Sequence, residues 1–193
     1  MKEQRLMIES KHFFASSDFH LFHERILEYD KRPFKDLGHM HQTLQNNFST
    51  LTEADHLFFL GDLAFTKNTD EVIQWLSALQ CKIYWIKGNH DYLLIKDKKL
   101  TNKFVWIKNL EEIYVNTPDG KQLITLCHYA MKVWNKSHRG SWQLFGHSHH
   151  SLKDDVNSLS LDVGCNGWGY KPVSFNDIKQ KMNLKEWKSI DHH

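Results

Sequence analysis

The sequence predicts a single domain of the α/β class, spanning residues 1–193. Short apolar runs alternate with segments of helical periodicity, which is the pattern of α/β proteins. A length of 193 residues suits one domain rather than two. Hydrophobic residues make up 40% of the chain, which supplies a core and argues against a disordered chain.

Six apolar runs are predicted to be buried strands, because they are short and rich in aromatic and β-branched residues. Pro118-Asp119-Gly120 predicts a tight turn into the fourth of these runs. Residues 103–106 and 113–116 are further strand candidates. The six runs are residues 12–15, 57–60, 83–86, 123–126, 142–145 and 159–163.

Three helices are predicted between and after these strands. The first covers residues 37–48, where apolar residues recur at helical spacing behind Asp36 as the N-cap. The second covers about residues 70–80 behind a capping box that begins at Asn68. The third begins at Ser174 near the end of the chain.

Composition excludes several classes of protein. No apolar run approaches the roughly 18 residues of a membrane helix, and no secretory signal is visible, so we expect a cytoplasmic protein. Three scattered cysteines are too few for a disulfide framework. The formal net charge is only +2, which gives no support for a nucleic-acid partner. The unusual feature is the presence of 14 histidines, since histidine is the commonest metal ligand.

Five of the predicted strands end at residues that commonly bind metals. Ligands in α/β folds gather beyond the carboxyl ends of strands, so these groups converge if the strands share one sheet edge or one rim of two packed sheets. Residues two apart in extended chain also point the same way. The five groups are Asp18-Phe19-His20, Gly61-Asp62, Gly88-Asn89-His90-Asp91, Cys127-His128 and Gly146-His147-Ser148-His149.

The chemistry of these side chains indicates the kind of metal. They offer carboxylate, imidazole and one amide oxygen, a set that suits Mn, Fe or Zn rather than calcium. They are also more numerous than one ion needs. Two ions about 3.5–4 Å apart, bridged by a shared carboxylate, would use them all.

The order of the five groups resembles the calcineurin-like metallophosphoesterase superfamily, in a small prokaryotic and phage-type branch without a capping domain. The resemblance covers about residues 18–182. It implies two mixed β-sheets packed face to face with flanking helices, a four-layer αββα sandwich. It further implies hydrolysis of a phosphate ester by in-line attack of a hydroxide that bridges two divalent transition-metal ions. Manganese is the first expectation, with iron, zinc or nickel as alternatives.

The same resemblance assigns a role to each residue. It implies that Asp62 bridges both ions and that His90 contacts the phosphate and protonates the leaving oxygen. The three ligands that it implies for the first ion are Asp18, His20 and His149. The three that it implies for the second ion are Asn89, His128 and His147.

Several points stay open at the level of sequence. Many members of the superfamily have an aspartate where this chain has Phe65, so Asp91 or a backbone carbonyl is expected to orient His90 instead. His23 either faces the site as a substrate contact or packs structurally. Arg32 either binds a substrate phosphate or is a solvated loop charge. Six further histidines are expected to be structural or surface residues: His12, His39, His41, His56, His138 and His150.

The sequence is compatible with three functions. The leading one is a phosphoesterase acting on a small phosphodiester or phosphomonoester, with nucleotides among the candidates. A nuclease would need basic residues clustered at the rim, and the scattered lysines do not show such a cluster. A binding module that had lost catalysis would lack ligands or the acid, whereas this chain retains them all. The expected partner is therefore a small phosphate ester and not a membrane, and the oligomeric state is left open.

Overall fold

The computed structural model of the protein describes residues 5–190, which form two five-stranded β-sheets with helices. The strands are β1 (Met7–Glu9), β2 (Phe13–Ser16), β3 (His56–Phe59), β4 (Lys82–Ile86), β5 (Ile107–Lys108), β6 (Leu110–Thr117), β7 (Gly120–Cys127), β8 (Trp142–Phe145), β9 (Ser160–Asp162) and β10 (Val173–Ser174). The α-helices are α1 (Ile26–Tyr29), α2 (Leu37–Phe48), α3 (Thr69–Leu76), α4 (Lys98–Thr101) and α5 (Phe175–Asn183).

Both sheets are mixed. The first has the order β10-β2-β3-β4-β5, with β10 antiparallel and the other four strands parallel. The second has the order β1-β6-β7-β8-β9, in which only the β6–β7 pair is antiparallel. The predicted class of two mixed sheets with helices is therefore confirmed.

One apolar core fills the space between the sheets. From the first sheet, Phe13 and Phe58 stack with ring centroids 5.0 Å apart, and Phe58 stacks on Tyr84 at 4.7 Å. From the second sheet, Ile113 and Leu144 are fully buried in the same cluster. The packing of large apolar side chains from both faces explains why the two sheets are held together.

A second apolar core covers the outer face of the first sheet. Met40 and Leu44 of α2 and Val72 of α3 are buried there against Leu57 and Trp85 of the sheet. These helix residues are buried together because their helical spacing in the sequence places them on one face of each helix. Helix α5 instead contributes its buried residues to the core between the sheets.

The helix caps follow two of the three predictions. The Asp36 side chain accepts a hydrogen bond from the backbone N–H of His39, and Ser174 forms a capping box with Asp177. Asn68 occupies the N-cap position of α3, but its side chain makes no capping hydrogen bond, so the predicted box is wrong. Helix α3 also ends at Leu76, earlier than the predicted 80.

The six strands predicted from apolar runs are present, although their bounds differ by a few residues. The differences in number concern three short strands, β1, β5 and β10. The candidate at 103–106 is wrong, because the strand there is β5 and begins at Ile107. Strands β1 and β10 were not predicted, since their two or three residues are too short to show a period. The turn before Gly120 is confirmed, with Thr117 paired to Gly120 across it. Within residues 5–190, none of the helices has the length and hydrophobicity needed to cross a bilayer.

Candidate metal centre

The ligand candidates from both sheets meet at one rim. Strands β2, β3 and β4 are parallel, and Asp18, Asp62 and Asn89 follow their carboxyl ends. Strands β7 and β8 are parallel in the other sheet, and His128 and His147 follow theirs. An isolated parallel bridge between Ser17 and Gly164 joins the segments after β2 and β9 at this rim. The predicted convergence at the rim of two packed sheets is thus what the structure has.

Two groups of three side chains could each hold a metal ion. In each group, one ligand atom from every residue lies within 4.8 Å of the other two. The first group is Asp18, His20 and His149. The second group is Asp62, His128 and His147.

Asp62, a member of the second group, also lies close to the first. Its Oδ2 is 3.6 Å from His20 Nε2 in the first group and 3.5 Å from His128 Nε2 in the second. Its Oδ1 accepts a hydrogen bond of 2.9 Å from the backbone N–H of His90, which fixes the carboxylate. Burial would raise the pKa of Asp62, but the His128 imidazole and the His90 N–H outweigh it and hold the pKa at about 2.

Asp18 is buried beneath the first group. Its carboxylate accepts hydrogen bonds from the Ser17 hydroxyl at 2.7 Å and from the His147 backbone N–H at 3.0 and 3.1 Å. Burial nevertheless raises the pKa of Asp18 to about 7, against the opposing effect of His149. A divalent ion beside Asp18 would supply the positive charge that this buried carboxylate needs.

His149 is oriented by an aspartate that the sequence patterns did not single out. The Asp30 carboxylate is 2.7 Å from His149 Nδ1, and it also accepts a 2.9 Å hydrogen bond from the Asn166 amide. The opposite nitrogen, His149 Nε2, lies 3.7 Å from Asp18 Oδ1. Burial lowers the pKa of His149, but Asp30 and Asp18 outweigh it and raise the pKa above its usual value.

His128 is oriented by a backbone carbonyl. Its Nδ1 lies 2.7 Å from the carbonyl oxygen of Leu60, and its Nε2 lies 3.1 Å from the side-chain oxygen of Asn89. Asn89 therefore lies beside the second group. Burial lowers the pKa of His128, but the neighbouring Asp62 carboxylate outweighs it and raises the pKa.

The donor set fits a pair of cations. A proton on Nδ1 of His149 and of His128 satisfies Asp30 and Leu60, which leaves each Nε2 lone pair facing a carboxylate. Lone pairs and carboxylates that converge in a buried space repel one another unless a proton or a cation lies between them. His20 favours the cation, because burial lowers its pKa to about 3 and keeps its imidazole neutral at physiological pH.

Five of the ligand candidates have left-handed backbone, which the sequence reasoning did not foresee. The expectation that residues two apart present their ligands from extended chain is wrong, because both members of each pair have positive φ. The pair His147 and His149 also divides between the two groups. The values of φ are 60° for Asp18, 50° for His20, 58° for Asp62, 65° for His147 and 47° for His149.

Two of the glycines before ligands are required by close approach. A Cβ on Gly146 would lie 2.3 Å from Ser17 Oγ and 2.7 Å from Asp18 Oδ2. Gly61 has a φ of +97°, and a Cβ there would lie 2.5 Å from His128 Nδ1. At these two positions the absence of a side chain lets the backbone approach the site closely.

Asp91 organises the backbone of the site rather than the His90 ring. Its buried carboxylate accepts hydrogen bonds from the N–H groups of Asp62, Leu63 and Gly88 and from the Trp85 indole, at 2.7–3.1 Å. These bonds tie the segment after β3 to the segment after β4. The expectation that Asp91 orients His90 is therefore corrected.

Arg32 is a structural residue, which corrects its assignment as a substrate contact. Its side chain is fully buried. The guanidinium donates to the carbonyl oxygens of Asp18 at 2.9 Å and Phe19 at 2.8 Å, and it donates twice to Asp30 at 3.0 and 3.1 Å. A further contact of 3.4 Å reaches the sulfur of Met40. Arg32 therefore holds the Asp18 segment in place. Its N–H donors are all used within the protein, so it has no donor left for a substrate.

His90 and His23 lie beside the first group without belonging to it. The ring centroid of His20 is 5.4 Å from that of His90 and 5.6 Å from that of His23. His23 is half-buried just before α1, and its ring lies 4.6 Å from Phe65. Both imidazoles are thus placed at the opening of the metal centre, where a ligand could contact them.

Several of the remaining histidines serve the fold. His12 pairs with Asp55 at 2.9 Å, His56 contacts the Tyr84 hydroxyl at 2.8 Å, and His41 accepts the Phe22 N–H at 3.0 Å. His150 lies next to the ligand His149, but its Nε2 contacts the carbonyl oxygen of Gly164 at 3.0 Å. These contacts agree with a structural role for these four residues.

Comparison with known proteins identifies relatives but no function. No protein-family model matches the chain. The uncharacterized protein MJ1445 of Methanocaldococcus jannaschii is 29% identical over 172 residues, which cover 84% of this chain and 86% of that protein. A solved structure of a protein of unknown function, AQ665 from Aquifex aeolicus, has a TM-score of 0.61 and 20% identity, and it covers 87% of this chain and 97% of that one. The structural likeness supports the fold.

Replacing Asp30 with asparagine is expected to weaken metal binding at the first group. The amide cannot accept the His149 Nδ1–H as a charged carboxylate does, and loss of such a partner typically costs about 10–100-fold in metal affinity. Manganese affinity is measured by competition with a chelator, and thermal unfolding of the metal-free protein is followed in parallel. Glu28→Gln is the matched control, because it removes the same charge from an exposed position two residues earlier. Equal affinities for the two variants would contradict the positioning role of Asp30.

Proposed function

We propose that this protein is a dinuclear metal-dependent phosphoesterase of the calcineurin-like metallophosphoesterase type. Its substrate is a small phosphodiester or phosphomonoester. The observation that supports this most is the place of Asp62, one oxygen of which lies 3.6 Å from a histidine of the first group and 3.5 Å from a histidine of the second. A carboxylate oxygen in that position suits a pair of neighbouring ions, which is the arrangement that phosphoryl-transfer enzymes use.

In this proposal the first ion is held by Asp18, His20 and His149 and the second by Asn89, His128 and His147, with Asp62 shared. Divalent transition ions, manganese foremost, would act as Lewis acids toward the phosphoryl oxygens and would make water acidic enough to be a nucleophile near neutral pH. Asp18 and Asp62 neutralise only two of the four charges that two such ions carry. The centre therefore favours an anionic ester.

The reaction is a hydrolysis in which the water oxygen forms a bond to phosphorus and the bond from phosphorus to the leaving oxygen breaks. One proton of the water stays on the phosphate product. The leaving oxygen takes up one proton from a donor, and the second proton of the water restores that donor. His90 is the residue that we propose as this donor. It lies beside the first group, and its backbone N–H is anchored by Asp62 Oδ1 at 2.9 Å.

Metal content tests the binding part of the proposal. Manganese-loaded protein, freed of excess ion by gel filtration, is expected to hold about two ions per chain when measured by elemental mass spectrometry. Asp62→Asn is expected to reduce this number, because it removes the shared negative charge. Asp119→Asn is the control, since Asp119 is an exposed residue that contacts Lys179. One ion or none in the wild-type protein would contradict a dinuclear centre.

Turnover tests the catalytic part. We expect manganese-dependent hydrolysis of p-nitrophenyl phosphate or of bis(p-nitrophenyl) phosphate, and the comparison of the two decides between a monoesterase and a diesterase. His90→Ala is expected to lose about 10²–10⁴-fold on an ester with a poor leaving group such as an alkyl alcohol, and less on the nitrophenyl ester, because a good leaving group needs little protonation. Equal losses on both esters would rule out the acid role of His90. No turnover of either ester by protein with both ions bound would favour a binding module.

A further inference from the structure

The exposed aromatic side chains of the described chain are concentrated at the metal centre. Across residues 5–190, the phenylalanine, tyrosine and tryptophan side chains with the greatest exposure all adjoin segments that build the centre. Tyr29 precedes Asp30, Phe65 and Tyr92 follow the segments of Asp62 and His90, and Tyr129 follows His128. Their exposed fractions are 57% for Tyr29, 51% for Phe65, 59% for Tyr92 and 47% for Tyr129.

Phe65 belongs to a continuous aromatic surface that leads from the first metal group to solvent. Its ring centroid is 4.6 Å from His23 and 5.6 Å from His90. The His23 ring in turn lies 5.6 Å from His20 and 6.0 Å from Tyr29. We call Phe65, His23 and Tyr29 the aromatic platform.

Phe65 is held in place by its backbone before any ligand arrives. The backbone N–H of Phe65 donates to the Leu21 carbonyl at 2.8 Å, next to an isolated parallel bridge between Leu21 and Ala64. Leu21 and Ala64 are both buried, so this segment has little freedom to move. A rigid aromatic ring that stays half-exposed beside a polar centre is typical of binding sites. The favourable free energy of burying such a ring is realised only when a ligand covers it.

We infer that the aromatic platform binds a planar aromatic ring carried by the leaving group of the ester, such as a nucleobase or an aryl group. This inference rests on the proposed phosphoesterase function and specifies its substrate class. The ring belongs to the leaving group because Phe65 contacts His90, the proposed donor to the leaving oxygen, with an interplanar angle of 74°. A base has a π-face on both sides, so it can stack on Phe65 without a specific hydrogen bond.

Two other aromatic residues near the ligand segments are less suited to this role. The indole N–H of Trp134 donates to the Ser141 carbonyl at 3.2 Å, and that of Trp168 donates to the Asp162 carbonyl at 2.9 Å. Trp134 is buried, and Trp168 is partly buried against the core between the sheets. A long polyanion is also a poor occupant, because 25 basic residues are nearly balanced by 23 acidic ones.

The test compares two esters that release the same type of 5′-hydroxyl and differ in whether the leaving sugar carries an aromatic base. Adenosine 5′-phosphate and ribose 5-phosphate both release a ribose 5′-hydroxyl, and their methyl esters provide the same pair for a diesterase when the products are methyl phosphate and adenosine or ribose. The wild-type protein is expected to prefer the adenosine compound in kcat/KM by about tenfold. Phe65→Leu keeps an apolar side chain without a ring and is expected to reduce that preference by about 3–10-fold, whereas Phe65→Tyr restores it. Val105→Ala serves as the control, because Val105 is exposed directly before β5 and its N–H donates to Ile83 near the start of β4, at the end of the strand opposite the rim.

The possible results separate the inference from the function on which it rests. Binding of the same two compounds is measured by calorimetry with the slow variant His90→Asn. If esters are hydrolysed but the ring gives no advantage in rate or binding, or if Tyr129→Leu removes the preference and Phe65→Leu does not, the platform assignment is overturned. If nothing is hydrolysed but the adenosine compound binds more tightly and Phe65→Leu abolishes the difference, the platform stands and the phosphoesterase proposal fails.

Discussion

The structure of the rim depends on how the negative charges of two buried carboxylates are compensated. Asp18 and Asp62 are almost entirely inaccessible to solvent, and imidazole nitrogens approach both of them. Charged groups are buried at a large cost in free energy unless they meet hydrogen-bond donors and opposite charge. The chain supplies part of this compensation through the backbone N–H groups of His147 and His90. A pair of cations would supply the rest.

The backbone around the ligands is held in a conformation that it would not adopt alone. Left-handed φ costs of order 1–3 kcal/mol for residues other than glycine, although aspartate and histidine tolerate it better than most. Asp91 offsets part of this cost for Asp62, because its carboxylate holds the N–H groups of Asp62 and Leu63. Arg32 does the same for the Asp18 segment through two backbone carbonyls. The two buried charged residues therefore fix the geometry of the site without facing a ligand.

The sequence predicted the fold class and the meeting of the ligands because these depend on regular patterns. Apolar runs of strand length ended at Asp, His and Asn residues, and parallel strands bring such ends to one rim. The parts that were missed have no such period. Asp30 follows the short helix α1 and is far from His149 in sequence, and nothing in its neighbours marks it as the partner of that histidine. The roles of Arg32 and Asp91 differ from those predicted for a related reason, since only three-dimensional packing shows that both side chains use their hydrogen-bonding groups within the fold.

The proposed pair of ions at Asp62 can be located directly in an anomalous difference map from crystals of the manganese-loaded protein, with data collected on both sides of the manganese absorption edge. We expect two peaks separated by about 3.5–4 Å, one on each side of Asp62, with the nitrogens of His20 and His128 as ligands to different ions. A single peak, or peaks away from Asp62, would contradict this arrangement.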